Sequence, residues 1–131
     1  MKKKYLSKII ANDNEGLQVI SACCAGAEIK VSDIKFLQKN KVFLISLKRT
    51  KIETENDGKK VSSICKFEFV DSVKSKNIKQ DDIDKKLELI TMDYLKKNDN
   101  CEISLIFTNN AYITLSTEII EVTLDDQNKI Y

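Results

Sequence analysis

The sequence predicts an α+β fold, in which a mainly antiparallel, twisted sheet of about six strands carries an N-terminal helix and, as an option, a short C-terminal helix. Three observations predict this class. Residues 28–53 and residues 102–117 each have the alternating hydrophobicity of a β-hairpin, and residues 13–25 have the apolar spacing of an amphipathic helix. A partly closed barrel of the pleckstrin-homology type is the alternative arrangement of the same elements.

The length and composition indicate a single globular domain over residues 1–131. Of the 131 residues, 42% are hydrophobic and 32% are charged, so the chain can bury a core without disulfides or metals. The net charge of +2 does not favour nucleic acid as a partner. No apolar run of about 18 residues predicts a membrane span, and the basic start lacks the apolar region of a secretory signal. We therefore expect a cytoplasmic protein.

The chain contains no histidine. This excludes Ser-His and Cys-His nucleophilic pairs within one chain, and it excludes histidine metal ligands. The four cysteines form one adjacent pair and two distant singles, which is not the spacing of structural zinc: Cys23, Cys24, Cys65 and Cys101. We expect them to be reduced and buried, and we predict no metal, no cofactor and no catalytic residue.

The N-terminal part begins with a short apolar run at residues 5–11, which we interpret as a strand. Asn12 and Glu15 then have the spacing of a helix capping box, and Gly26 suits the end of the helix. Four small or apolar residues follow at helical spacing and should face the sheet: Leu17, Ile20, Cys24 and Ala27.

The first hairpin can be aligned by its apolar residues. A two-residue turn at Lys39–Asn40 places Phe36 opposite Phe43 and Ile34 opposite Ile45, which buries one face consistently. Upstream, the apolar residues Ile29 and Val31 have odd numbers, whereas Ile34 and Phe36 have even numbers. We therefore predict a one-residue β-bulge at Ser32–Asp33. Near the start of the second strand, both the odd-numbered and the even-numbered residues are apolar, which is typical of a central strand with two buried faces.

The middle of the chain continues with a turn at Asp57–Gly58 and a strand from Val61 to about residue 76. Four residues of that strand should share its buried face: Cys65, Phe67, Phe69 and Val73. Residues 77–86 form a polar connection.

The last third leaves two segments open. Residues 87–95 fit a helix or a strand by pattern, and residues 118–125 fit a strand or a short helix. The second hairpin is better defined, because a three-residue loop at 108–110 aligns its apolar residues and requires an Asn in the left-handed conformation.

Several segments together resemble an alphaproteobacterial family known as the domain of unknown function DUF2948: VISA (19–22), IKVSDIKFL (29–37), Arg49, VKSK (73–76) and TEIIEVTLDD (117–126). The resemblance covers nearly the whole chain. The sequence departs from the family pattern at Ala25–Gly26, Gln38 and Asn77. The family has no assigned activity, but the resemblance implies a strand at residues 87–95.

One cluster suggests a ligand site. Arg49 and the triplet Lys74, Ser75 and Lys76 match positions where the resembled family carries such residues, near the ends of strands that we expect to be neighbours. A guanidinium with flanking ammonium groups and a hydroxyl suits a phosphate or carboxylate. The competing interpretation is an exposed rim of basic side chains.

The other polar and aromatic groupings have simpler interpretations. Asp81, Asp82 and Asp84 lack the pattern of a calcium loop, and Glu118, Glu121 and Asp125 are expected to be solvated. The aromatic pair around Glu68 lacks the glycines of an RNA-recognition strand and is expected in the core. We therefore predict a non-catalytic binding or accessory module for a protein partner or a small anionic ligand. The alternatives are a small enzyme that uses carboxylate, Lys or Cys chemistry and, more weakly, a nucleic-acid binder.

Overall fold

A computed structural model of the protein describes residues 6–50 and 60–130, with side chains as far as Gln127. The described part contains one α-helix, α1 (Asn14–Cys24), and ten strands. The strands are β1 (Lys8–Ala11), β2 (Glu28–Lys30), β3 (Ile34–Leu37), β4 (Val42–Thr50), β5 (Lys60–Phe67), β6 (Val70–Lys76), β7 (Lys86–Lys96), β8 (Cys101–Phe107), β9 (Tyr112–Thr117) and β10 (Val122–Ile130). The turn predicted at Asp57–Gly58 lies outside the described residues.

The described strands form one antiparallel sheet in the order β1-β10-β5-β4-β2-β7-β8-β9-β6, with β3 paired to β4. The α+β class is confirmed. The sheet is open, so the barrel alternative does not form. The strand count of six was too low, because two predicted strands are each broken in two and the two segments left open contribute β7 and the start of β10. Of the two alternatives left open at the C-terminal end, the strand is confirmed as β10 from Val122, and the short helix does not form among the described residues.

The register of the first hairpin is confirmed by the pairs Ile34–Ile45 and Phe36–Phe43 of β3 and β4, but the predicted two-residue turn is a four-residue connection, a 3₁₀ turn at Gln38–Asn40 followed by a left-handed Lys41. The predicted irregularity is a 3₁₀ turn at Val31–Asp33 rather than a one-residue bulge. Glu28 pairs with Lys48 and Ile34 pairs with Ile45. Two residues of β4 lie between these pairs, whereas five residues lie between Glu28 and Ile34. The turn therefore contains three extra residues. β4 is central, between β5 and β2.

The strand predicted from residue 61 to 76 breaks after Phe67 into β5 and β6. Phe69 has a left-handed backbone (φ 60°) and an exposed side chain, so its predicted place in the core was wrong. Cys65 and Phe67 are buried as predicted, and Val73 is half-buried against the core.

The second hairpin confirms the predicted three-residue loop. Ile103 pairs with Leu115 and Leu105 pairs with Ile113, with left-handed Asn residues in the loop at 109 and 110. Residues 87–95 lie within strand β7, as the family resemblance implies.

Helix α1 covers one face of the sheet. Asp13, not the predicted Asn12, caps it by accepting a hydrogen bond from the Gly16 N–H (2.7 Å), and Gly26 follows it with φ 81°. The predicted sheet-facing residues of the helix and Ala27 are buried. The Ser21 hydroxyl accepts a hydrogen bond from the Met92 N–H (2.9 Å), which ties the helix to β7. Among the described helices, none is long and apolar enough to cross a membrane.

Candidate functional site

Arg49 lies in the interior of the protein. Side chains alternate along β4, and Arg49 has the same parity as the buried residues Phe43, Ile45 and Leu47. Its guanidinium Nη2 lies 3.0 Å from Asp126 Oδ1 on β10, and its Nε donates to Ser63 Oγ on β5 (3.0 Å). The charge of Arg49 is therefore compensated inside the fold.

The carboxylate of Asp126 is the centre of this network. Its Oδ1 accepts a hydrogen bond from the Ser63 hydroxyl (2.6 Å), and its Oδ2 accepts one from the Ser7 N–H (2.9 Å). Burial raises the pKa of Asp126, but the Ser63 and Ser7 hydrogen bonds and the Arg49 charge together hold it below its ordinary value. The network joins β4, β5, β10 and the segment before β1.

The triplet Lys74, Ser75 and Lys76 lies on β6, away from this network. Lys74 and Lys76 are exposed on the outer face, and the Lys76 ammonium lies 6.0 Å from the centre of the Tyr112 ring. Ser75 has the opposite parity and lines a groove on the inner side of β6. The structure thus brings the three triplet residues to one strand and does not bring Arg49 to them.

The hairpin of β8 and β9 shows which residues of β9 bond to β8 and which direct their backbone groups to β6. The Phe107 N–H donates to the Ala111 carbonyl oxygen at 2.9 Å. In an antiparallel pair every second residue bonds to the same neighbour. Ala111 and Ile113 therefore bond to β8, and Tyr112 and Thr114 direct their backbone groups to β6.

The inner backbone groups of β6 are consequently free of β9. Lys76 and Lys74 lie opposite the two β9 residues that face β6, so they make the hydrogen bonds between these strands. The N–H and C=O groups of Val73 and Ser75 point the other way, towards an edge where the described residues place no paired strand.

A second free edge lies across from β6. Among the described strands, β3 pairs only with β4. The two edges are joined at one end, where the Val70 N–H donates to the Lys41 carbonyl oxygen (2.8 Å) and the Lys41 ammonium lies 3.1 Å from the Asp71 carboxylate. Beyond that point, the described residues of β3 and β6 share no ladder.

A groove of about 440 Å³ lies between these edges. We call it the β3–β6 groove, and its lining consists of Val31, Ser32, Ile34, Phe36, Phe43, Val73, Ser75, Ile78, Gln80 and Ile113. None of these lining residues has an ionisable side chain, and Phe43 and Ile113 belong to the core. An apolar concavity with a few polar groups is the usual form of a binding site. The sequence pattern did not reveal this groove, because it depends on which strands end the sheet.

The family model described as Protein of unknown function (DUF2948) matches residues 7–131. The chain belongs to this family. No curated protein and no solved structure is significantly similar to it.

This DUF2948 chain has a second groove of about 470 Å³ on the outer face of β4 and β5. Glu28, Lys30, Asp33 and Lys48 contribute charges of both signs to it. The Lys86 ammonium lies 3.0 Å from the Glu28 carboxylate and, by that hydrogen bond, lowers its pKa. Because its charges offset one another, this surface has no clear preference for a ligand of either sign.

The two acidic clusters of the DUF2948 chain do not form ligand sites among the described residues. Asp81, Asp82 and Asp84 are exposed on the connection before β7. The Glu118 carboxylate accepts a hydrogen bond from the Lys41 ammonium (2.8 Å), and residues 118–121 form no helix on which it could line up with Asp125.

The four thiols differ in burial. Cys23, Cys24 and Cys65 are buried, as expected, whereas Cys101 is half-buried with its sulfur 3.7 Å from the Tyr94 hydroxyl. Burial, with a contribution from Cys24, raises the pKa of Cys65 well above its ordinary value. The Cys65 thiol is therefore protonated and a poor nucleophile.

Proposed function

We propose that the protein is a non-catalytic binding module that takes an extended segment of a partner protein into the β3–β6 groove. The proposal rests on the backbone groups of Val73 and Ser75, which by the phase of β9 point to a side where the described residues place no strand, directly beside the groove. Strand addition uses this combination: main-chain hydrogen bonds supply affinity, and pockets for alternate side chains supply specificity.

The geometry of an added strand supports the same function. Its neighbour β6 would hold it by backbone hydrogen bonds, and every second side chain would enter the groove beside Val73 and Ser75. The other side chains would lie on the outer face beside Lys74 and Lys76. The basic triplet would then serve in recognition through one strand, without Arg49.

The other candidate functions have less support. A small anion has less support, because Arg49 already binds Asp126 and the β3–β6 groove has no charged lining residue. Lys74 and Lys97 line only a smaller pocket of about 190 Å³, which also contains the Glu102 carboxylate. The same lining offers no acid, base or nucleophile with a shifted pKa for an enzyme. Nucleic acid favours a larger basic surface than the two outward lysines of β6. The spacing of the four cysteines is not that of a secreted disulfide framework, so we propose that the module works in the cytoplasm.

A peptide selection tests the proposal. Random peptides of about eight residues, displayed on phage, would be selected on the immobilised protein, since this length matches a typical strand. The selected peptides should bind wild type and lose binding to Ile78→Asp, because that substitution places a carboxylate in the groove.

Ile83→Asp is the matched control, since Ile83 lies on the same connection but is exposed and outside the groove. This variant should bind the peptides like wild type. Selection of no peptide, or equal loss of binding in both variants, would show that the groove is not a peptide site and that the lysines of β6 only protect a sheet edge.

A further inference from the structure

We infer that the segment bound in the β3–β6 groove alternates between apolar and acidic residues, and that Lys35, Lys74 and Lys76 form ion pairs with its acidic side chains. This inference rests on the proposed function and deepens it by defining the chemistry of the partner. It follows from the side-chain parity of the two strands that border the groove.

The inner faces of both strands favour apolar side chains. On β3, Ile34 and Phe36 line the groove, and on β6 Val73 and Ser75 do so. The floor between them includes Phe43, which is buried in the core. A partner residue that points inward would thus contact these apolar side chains together with uncharged polar groups, and a charge there would have no ionic partner in the lining.

The outer faces of the same strands are basic. Lys35 on β3 and Lys74 and Lys76 on β6 are exposed and have the opposite parity to the groove residues. Side chains of adjacent strands that lie directly opposite each other are about 5 Å apart, so a strand in the groove would place its outward side chains within reach of these ammonium groups.

The three lysines have no acidic partner among the described residues, so their charges remain available. Two acidic side chains on neighbouring strands are already held, since the Lys41 ammonium lies 3.1 Å from Asp71 and the Lys97 ammonium lies 3.1 Å from Glu102. The exposed Asp81 and Asp82 lie on the connection after the lining residue Gln80, not on β3 or β6. β3 itself has no acidic residue. The outer rim of the groove therefore complements carboxylates and opposes cations.

Three synthetic peptides test this inference. Each has about eight residues, the length of a typical strand, and alternates Val with Glu, Gln or Lys; binding is followed by the fluorescence anisotropy of a terminal dye. The Glu–Val peptide should bind about tenfold more tightly than the Gln–Val peptide, because two or three opposed charge pairs add favourably across strands, and the Lys–Val peptide should bind weakest. The difference should shrink as salt is added.

The variant Lys74→Glu/Lys76→Glu should reverse this order of affinity. Lys8→Glu/Lys96→Glu is the matched control, since it makes the same change in net charge at exposed positions outside the groove lining, and it should keep the wild-type order. A peptide with the Glu–Val composition arranged in blocks should bind more weakly than the alternating one.

The outcomes separate the inference from the proposed function. If all three peptides bind wild type equally, the acidic preference is wrong and the groove remains a strand site. If none binds although peptides from the random library do, the alternation of apolar and acidic residues is wrong; if no library peptide binds either, the proposed function is wrong as well. If the Glu–Val preference exists but persists in the charge-reversed variant, the lysines of β6 are not its cause and the inference fails.

Discussion

The substitution Asp126→Asn probes the buried network most directly. It keeps the shape of the side chain but removes the charge that compensates Arg49, whose side chain is fully buried. Breaking a buried ion pair on one side costs about 3–5 kcal/mol, because the remaining charge is left without compensation in the interior. A domain of this size has a total stability of about 5–15 kcal/mol, so the loss is a large fraction.

Urea denaturation followed by far-UV circular dichroism measures this change. With a typical dependence of about 1–3 kcal/mol per molar urea, the midpoint should fall by roughly 2 M. The double variant Arg49→Met/Asp126→Leu should recover much of the loss, since apolar replacement of a buried pair is often neutral. A cost below about 1 kcal/mol for Asp126→Asn would refute the interpretation of these residues as a closed, buried pair.

The same network gives a pH dependence with a defined sign. The ordinary pKa of the Asp126 carboxyl is 3.8, and the folded value is lower. Between the two values the unfolded chain binds a proton that the folded chain does not, so this stabilisation is lost as the pH falls through the folded pKa. The difference in unfolding free energy between wild type and Asp126→Asn should therefore shrink on acidification. A difference that stays constant down to acid pH would contradict this account.

Three further predictions concern other parts of the fold. Gly26→Ala should destabilise the protein by about 1–2 kcal/mol in urea denaturation, because no side chain crowds the position and the cost is that of a positive φ for a residue with Cβ. Asp13→Ala should cost about 1 kcal/mol in the same assay, since it removes the cap of α1; no change in the midpoint would refute the cap. Ellman's reagent should modify Cys101 in the native protein, with a signal that Cys101→Ser abolishes. The buried thiols should react only after unfolding: Cys23, Cys24 and Cys65.

Local patterns in the sequence were sufficient to predict both hairpins. The alternation of Ile34 and Phe36 against Phe43 and Ile45 defines a register that any slip would expose to solvent. The break at Phe69 was missed because the apolar alternation continues across it, whereas the left-handed backbone at Phe69 ends β5 and leaves the Phe69 side chain exposed.

The position of Arg49 had a signal in the sequence that the prediction did not use. Arg49 lies at the next alternate position after the buried residues of β4, and Asp126 lies at the next alternate position after Val122 and Leu124 of β10. A charged residue at a position that the alternation predicts to be buried indicates a buried ion pair. Its partner could not be chosen from the sequence, because that choice requires the strand order β10-β5-β4. The β3–β6 groove could not be predicted for the same reason.

Amide hydrogen exchange along β6 tests the central claim most directly. In the free protein, the amides of Lys74 and Lys76 should exchange slowly, since they bond to β9, and those of Val73 and Ser75 should exchange fast. Addition of the Glu–Val peptide should slow exchange at Val73 and Ser75 selectively, because an added strand would accept their hydrogen bonds. Unchanged exchange at Val73 and Ser75 in the presence of bound peptide would contradict strand addition at this edge.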